Sequence, residues 1–227
     1  MELGGNAPFV VLPGANLDAV IEGALVAKMR NGGSACTAAN RFYVHSSLAA
    51  EFAKRMASEL EGWSVGPGIE RENQFGALVS VHERNKVAEL VEAAVAAGAT
   101  VVTGGKPYEH GAFYSPTVLA GVAHESPIAR TEIFGPVTSV IEYDDVEDAV
   151  RMANDTIYGL IAYVYGETSQ ALAVAQRIDA GMVAVNRAVL SDPAAPFGGM
   201  KQSGLGREGS SEGILEFLEE KYIGIGL

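Results

Sequence analysis

Cys36 is the only cysteine in the chain. It follows Asn31-Gly32-Gly33-Ser34-Ala35, a run of small residues directly after a helix end. Small residues let a backbone approach a ligand closely and leave N–H groups open. A thiol there can be a nucleophile with a backbone oxyanion site beside it. Its ordinary alternative is a buried structural thiol. Glu2, in Met1-Glu2-Leu3-Gly4-Gly5, lies at the mouth of the first strand and offers a carboxylate for general-base work. The alternative is a solvated glutamate. Arg30 ends the helix ahead of Cys36. Its guanidinium either complements the helix dipole or grips a substrate carboxylate.

Other motifs carry less. Gly204-Leu205-Gly206-Arg207-Glu208-Gly209 matches G-x-G-x-x-G, but a polar loop precedes it where a dinucleotide fingerprint needs a strand. It reads as a loop-to-helix turn. Gly104-Gly105-Lys106 runs into Pro107 and is no phosphate loop. His45, His82, His110 and His124 have no ligand spacing, so no metal site is expected.

The elements that must position these residues alternate. Residues 9–12 form a short apolar run before a Pro-Gly turn and read as a buried strand. Leu17, Val20, Ile21, Ala24, Leu25 and Met29 recur at helical spacing. Asn31-Gly32-Gly33 ends that helix. Strands are expected at 41–45, 100–103, 137–143, 160–165 and 182–186. Helices are expected through the stripe Leu48, Phe52, Met56, Leu60 and Trp63, from the capping box at Ser80 to Gly98, after Asp144 as a cap, and from Thr168 to Gly181. The pattern predicts an α/β fold: three layers, an open and mostly parallel sheet with helices on both faces. Residues 186–209 form a long loop rich in Gly, Pro and Ser, of a length that is functional or disordered. Residues 221–227 read as a strand outside the alternation, able to add to a sheet edge of another subunit.

The composition narrows the classes. The 227 residues carry 16 Lys+Arg against 28 Asp+Glu, a net charge of −12, with 48% hydrophobic residues. Such a chain buries a sizeable core. The acidic balance argues against nucleic acid or an anionic membrane as partner. A lone cysteine and a start without a basic n-region point to a reducing, cytoplasmic setting.

Four motifs then appear in the order seen in aldehyde dehydrogenases, and the chain resembles that family from its first residue to its last. They are Met1-Glu2-Leu3-Gly4-Gly5-Asn6; Asn31-Gly32-Gly33-Ser34-Ala35-Cys36-Thr37-Ala38-Ala39-Asn40-Arg41; Glu132-Ile133-Phe134-Gly135-Pro136-Val137; and Pro196-Phe197-Gly198-Gly199-Met200-Lys201-Gln202-Ser203-Gly204. Arg30 and residues 206–227 narrow the resemblance to members that oxidise succinic semialdehyde to succinate. The resemblance implies that Cys36 forms a thiohemiacetal and then a thioester, and that Glu2 activates the hydrolytic water. The backbone N–H of Cys36 would supply half of the oxyanion hole. NAD or NADP would be the cofactor, with Glu132 on the nicotinamide ribose, Phe134 near the nicotinamide and Leu3 beside them. Arg30 and Ser191 would bind the distal carboxylate.

Ser34-Ala35 replaces the more usual Gln and β-branched residue, which is expected to loosen that loop. Ala38 stands where some relatives have Cys, so a disulfide switch there is impossible. The chain has about half the length of a family subunit. It is expected to be the catalytic domain at residues 1–220, inactive without the absent cofactor-binding domain, with 221–227 as a terminal oligomerisation strand. An apolar face left by the missing half should be exposed, and a homo-oligomer is expected. Two rivals remain: a remnant hydrolysing esters or thioesters through Cys36 and Glu2, and a non-catalytic module that only pairs with another subunit.

Overall fold

The computed structural model describes residues 1–226. Its strands are β1 (Ala7–Val11), β2 (Ala39–His45), β3 (Thr100–Thr103), β4 (Thr117–Ala120), β5 (Val137–Tyr143), β6 (Ile161–Tyr165) and β7 (Met182–Val185). Its helices are α1 (Leu17–Met29), α2 (Ser46–Glu61), α3 (Val81–Ala96), α4 (Pro127–Arg130), α5 (Val146–Asn154) and α6 (Thr168–Ala175). The strands make one sheet in the order β3-β4-β5-β2-β1-β6-β7. All pairings are parallel except the edge pair β3–β4.

Side-chain alternation divides the interior in two. Phe9, Val11, Phe42 and Val44 pack with Val20, Ile21 and Ala24 of α1 and Phe52 and Met56 of α2. Val10, Tyr43, Ile141 and Val164 pack on the other face with α3 to α6, through Val87, Ile128, Ala149 and Val174. Every residue of β1 is buried. Such near-continuous apolar strands are what a parallel sheet covered on both faces requires.

Helix starts follow local chemistry. Asn16 Oδ1 accepts the Asp18 N–H at 2.9 Å. Ser80 Oγ accepts the Glu83 N–H at 3.2 Å, while the Glu83 carboxylate pairs with Lys86 instead of closing the capping box. Several elements differ from expectation. Asp145, not Asp144, caps α5 by accepting the Glu147 N–H, and Asp144 accepts from the Ser46 hydroxyl. α6 stops at Ala175, well before Gly181, because Asn154 binds the Arg177 carbonyl and the Asp179 N–H and holds that stretch as a turn. β4, a four-residue strand directly after Pro116, has no counterpart among the expected elements.

The segment expected to add to a sheet edge of another subunit lies apart from this chain's own sheet. Residues 221–226 have no regular secondary structure, and Tyr222, Ile223 and Ile225 are exposed. A strand needs a partner edge for its N–H and C=O groups, and among the described residues 221–226 pair with none; Leu227 lies outside the described residues. Exposed apolar residues continue back through Phe217 and Leu218. Among the described residues no helix is long and apolar enough to cross a membrane.

Candidate active site

The parallel strands share a common amino-terminal edge, and the candidate residues gather there. Glu2 precedes β1, Cys36 precedes β2, and Glu132 and Phe134 precede β5. The switch of strand order falls between β1 and β6. Open α/β sheets usually bind ligands at the carboxyl edge of such a switch, so this cluster occupies the opposite edge.

The first segment is held by the loop at residues 200–205. The Leu3 N–H donates to Ser203 O at 2.9 Å, and Glu2 bridges Gly204. Ser203 Oγ donates to Gly4 O at 2.7 Å and accepts the Gly159 N–H at 3.0 Å. Gly4 and Gly5 are required by close approach. A Cβ on Gly5 would lie 2.4 Å from Cys36 O, and one on Gly4 would lie 2.7 Å from Glu132 Oε2. The Gly5 N–H donates to Glu132 Oε1 at 3.0 Å.

The Cys36 loop is fixed on three sides. Asn31 sits in the left-handed region (φ 52°), and its Nδ2 donates to Ser34 O at 2.7 Å. Gly33 packs so closely on Gly135 that a Cβ would lie 2.3 Å from Gly135 O. Tyr163 Oη donates to Thr37 O at 2.8 Å. The loosening expected from Ser34-Ala35 is therefore offset, and Ser34 Oγ itself reaches Phe134 O at 3.4 Å. Phe134 is a second non-glycine residue held left-handed, at φ 52°. Such strain in a bulky residue persists only where its surroundings over-determine it.

Cys36 is half-buried and its thiol is pushed up to about 11. Burial is the largest cause, followed by a hydrogen bond to the Glu2 carboxylate and the charges of Glu2 and Glu132; the Thr37 N–H acts the other way. Glu2 Oε1 is buried and accepts no hydrogen bond among the described residues, and its carboxylate lies near enough to the thiol to favour the protonated form. Glu132 is held above the ordinary carboxylate range by burial, against the Gly5 N–H and Lys86, which favour its ionised form.

Arg30 lies beside this centre. Its Nη2 donates to Thr37 Oγ1 at 3.4 Å, so the guanidinium touches the residue next to Cys36. Ser191 is exposed in the loop after β7, and among the described residues no hydrogen bond joins it to Arg30. Leu3 is exposed at the same edge. The G-x-G-x-x-G stretch lies in a loop, with Gly204 serving to hold Glu2 rather than a phosphate.

Several residues escaped the sequence reading. Lys28 is wholly buried, bonded to Asn40 Oδ1 at 2.8 Å, with its amine lowered to about 7 by burial against the pull of Glu132. In sequence it looked like one more polar residue on a helix. Arg41 is also wholly buried. It donates to the carbonyls of Asn6, Met152 and Ala153 and to the Tyr43 hydroxyl, which ties the Glu2 segment to the end of α5. The reading of the histidines is revised in one respect. The fold brings His124, Glu125 and Asp155 together with ligand atoms within 4.8 Å of one another. The Arg130 guanidinium already spans both carboxylates, at 2.5 and 2.7 Å.

An open three-layer sheet with a thiol, a carboxylate and a left-handed Phe-Gly-Pro turn meeting at its amino edge defines a protein class. The chain belongs to the aldehyde dehydrogenase family, whose profile matches residues 1–223. It is 52% identical over 227 residues to the succinate-semialdehyde dehydrogenase of Paenarthrobacter nicotinovorans, covering 99% of this chain and 50% of that protein. It is 41% identical over 228 residues to the glutarate-semialdehyde dehydrogenase of Pseudomonas aeruginosa, covering 100% of this chain and 47% of that protein. The crystal structure of an NADP-dependent enzyme of Escherichia coli superposes with a TM-score of 0.95 at 41% identity, covering 100% of this chain and 47% of that one. The chain thus spans about half the length of the relatives it matches.

Proposed function

We propose that this chain is the catalytic portion of an NAD(P)-dependent aldehyde dehydrogenase acting on succinic semialdehyde. The observation that carries the reading is the close packing of the Glu2–Gly5 segment on the Cys36 loop, where a Cβ on Gly5 would lie 2.4 Å from Cys36 O, with Arg30 bonded to Thr37 next door. Glu2 takes the thiol proton as the sulfur attacks the aldehyde carbon, giving a thiohemiacetal. The Cys36 N–H stabilises the resulting oxyanion. After oxidation to the thioester, Glu2 accepts a proton from the water that releases succinate. Arg30, with Ser191 from the long loop, holds the distal carboxylate.

The residues fit the nicotinamide end of a dinucleotide. Gly4 leaves open the space in front of Glu132 Oε2 that a Cβ would fill. Glu132 would accept from ribose hydroxyls there, with Phe134 and Leu3 packing beside the ring. When bound, the cofactor supplies the hydride acceptor. The rest of the cofactor, NAD or NADP, would be held by a domain outside these residues. The apolar stretch from Phe217 to Ile225 supports a homo-oligomer as the working state.

The test is formation of NADH or NADPH from succinic semialdehyde. The chain alone is expected to give none. Joined to a cofactor-binding half, it should turn over and lose that activity in Cys36→Ala. Arg30→Ala should cost about tenfold or more in preference over an uncharged aldehyde, the worth of a charge-assisted contact. Turnover that survives Cys36→Ala refutes the chemistry, and an unchanged preference in Arg30→Ala refutes the substrate. One observation favours a second reading for the chain by itself: nucleophile and base both lie within it. A burst of acylation from an activated ester, absent in Cys36→Ala, would support that hydrolytic activity.

A further inference from the structure

A cavity of about 230 Å³ opens between α1 and the start of the loop after β7, lined by Ala19, Glu22, Val26, Tyr165 and Arg187. Ala19, Gly23, Val26 and Arg30 recur on one stripe of α1. At about 1.5 Å per residue, Val26 is ~6 Å and Ala19 ~16 Å along the helix from Arg30. The opposite wall ends at Ala188, and the chain runs on from it through Leu190, packed like Ala188 on the same core face, to the exposed Ser191. The hollow therefore lies at the carboxyl edge of the sheet, at the far end of the α1 stripe that leads to Arg30.

Its polar groups suit an anion. Arg187 uses Nε on Val189 O at 2.8 Å, and among the described residues its Nη atoms make no hydrogen bond. Tyr165 Oη also has no hydrogen bond there. It lies so close to α1 that a Cβ on Gly23 would sit 2.0 Å from it. Burial, then the charge of Glu22, pushes this phenol up to about 12, so it stays a donor. Glu22 is the one carboxylate lining the hollow.

We propose that this hollow is an outer anion vestibule, in which Arg187 and the Tyr165 hydroxyl take the carboxylate of an incoming short aldehyde acid before Arg30 does. The proposal rests on the reading of an anionic substrate given above. An acidic chain repels such a substrate, and a guanidinium in a cleft raises its local concentration. Glu22 opposes that attraction and sets its strength.

The test needs no cofactor, because Cys36 is the only thiol. Alkylation by iodoacetate, an anion, is compared with alkylation by neutral iodoacetamide at one alkaline pH. Their rate ratio cancels the thiolate fraction. At low salt, Arg187→Gln should lower the ratio about twofold or more, the effect of one unit charge acting over ~10 Å through water. Arg187→Lys should keep most of it, Glu22→Gln should raise it, and Tyr165→Phe should lower it. Molar salt should erase the differences. An unchanged ratio in Arg187→Gln overturns the vestibule. If Arg30→Gln still lowers the ratio in that case, the anionic-substrate reading stands; if it does not, both fall. A drop in Arg187→Gln with none in Arg30→Gln supports the vestibule and removes Arg30 as the inner anchor.

Discussion

Replacing Lys28 with methionine should stabilise the protein at neutral pH and destabilise it at high pH. Lys28 is wholly buried, and its three-donor ammonium has one hydrogen-bond acceptor, Asn40 Oδ1 at 2.8 Å. Burial lowers its pKa from the ordinary 10.5 to about 7, with Glu132 pulling it back upward. The unfolded chain binds the proton at any pH below 10.5, whereas the folded chain binds it only below about 7. The contribution of the neutral amine to stability is complete above 10.5 and is lost as pH falls towards 7. At about 1.4 kcal/mol per pH unit, that loss amounts to ~5 kcal/mol by pH 7. Methionine fills similar space without a charge, but leaves Asn40 Oδ1 without its donor, at a cost of about 1–3 kcal/mol. The net gain expected for Lys28→Met is therefore about 2–4 kcal/mol at pH 7, shrinking as pH rises and becoming a loss near pH 10. Urea unfolding followed by the fluorescence of Trp63, the only tryptophan, at several pH values measures it. A variant less stable than the parent at pH 7, or a gain that does not shrink with pH, would refute the burial-cost reasoning.

Other outcomes follow from the same contacts. Alkylation of Cys36 by iodoacetamide should climb about tenfold per pH unit until it levels near pH 11, and Glu2→Gln should move the midpoint down by removing a hydrogen bond and a charge that favour the thiol. An unmoved midpoint would place Glu2 away from the sulfur. Arg41→Met should cost about 3–5 kcal/mol in urea unfolding, because it strands the buried carbonyls of Asn6, Met152 and Ala153; a loss under 1 kcal/mol would argue against a structural role. Ser203→Ala should cost about 1–3 kcal/mol and speed hydrogen exchange at Gly159, whose N–H loses its acceptor. Unchanged protection at Gly159 would count against it.

The legible parts of this protein were those written over a few neighbouring residues. The alternation of Val137–Tyr143 marked a strand to its exact ends, and Asn31-Gly32-Gly33 marked the left-handed turn that ends α1 ahead of Cys36. The four motifs marked the family. Less legible were features set by neighbours far along the chain. β4 is four residues long and is defined by pairing with β3 and β5, not by its own pattern. The end of α6 depends on Asn154. The extended reading of residues 221–226 had no partner edge within the chain to realise it.

The sequence by itself determined the layered α/β class and the small residues that flank Glu2 and Cys36, because periodicity and capping act within a turn or two of backbone. Only the tertiary structure decided that Glu2, Cys36 and Glu132 meet at the amino edge of the sheet. It also decided that Lys28 and Arg41 are buried and that Arg187 shares a hollow with Tyr165. Those facts are made by contacts between distant segments, such as Gly5 with Glu132 and Ser203 with Gly4. Burial sets the charge state of a side chain through all of its neighbours at once, and no local stretch of sequence contains them.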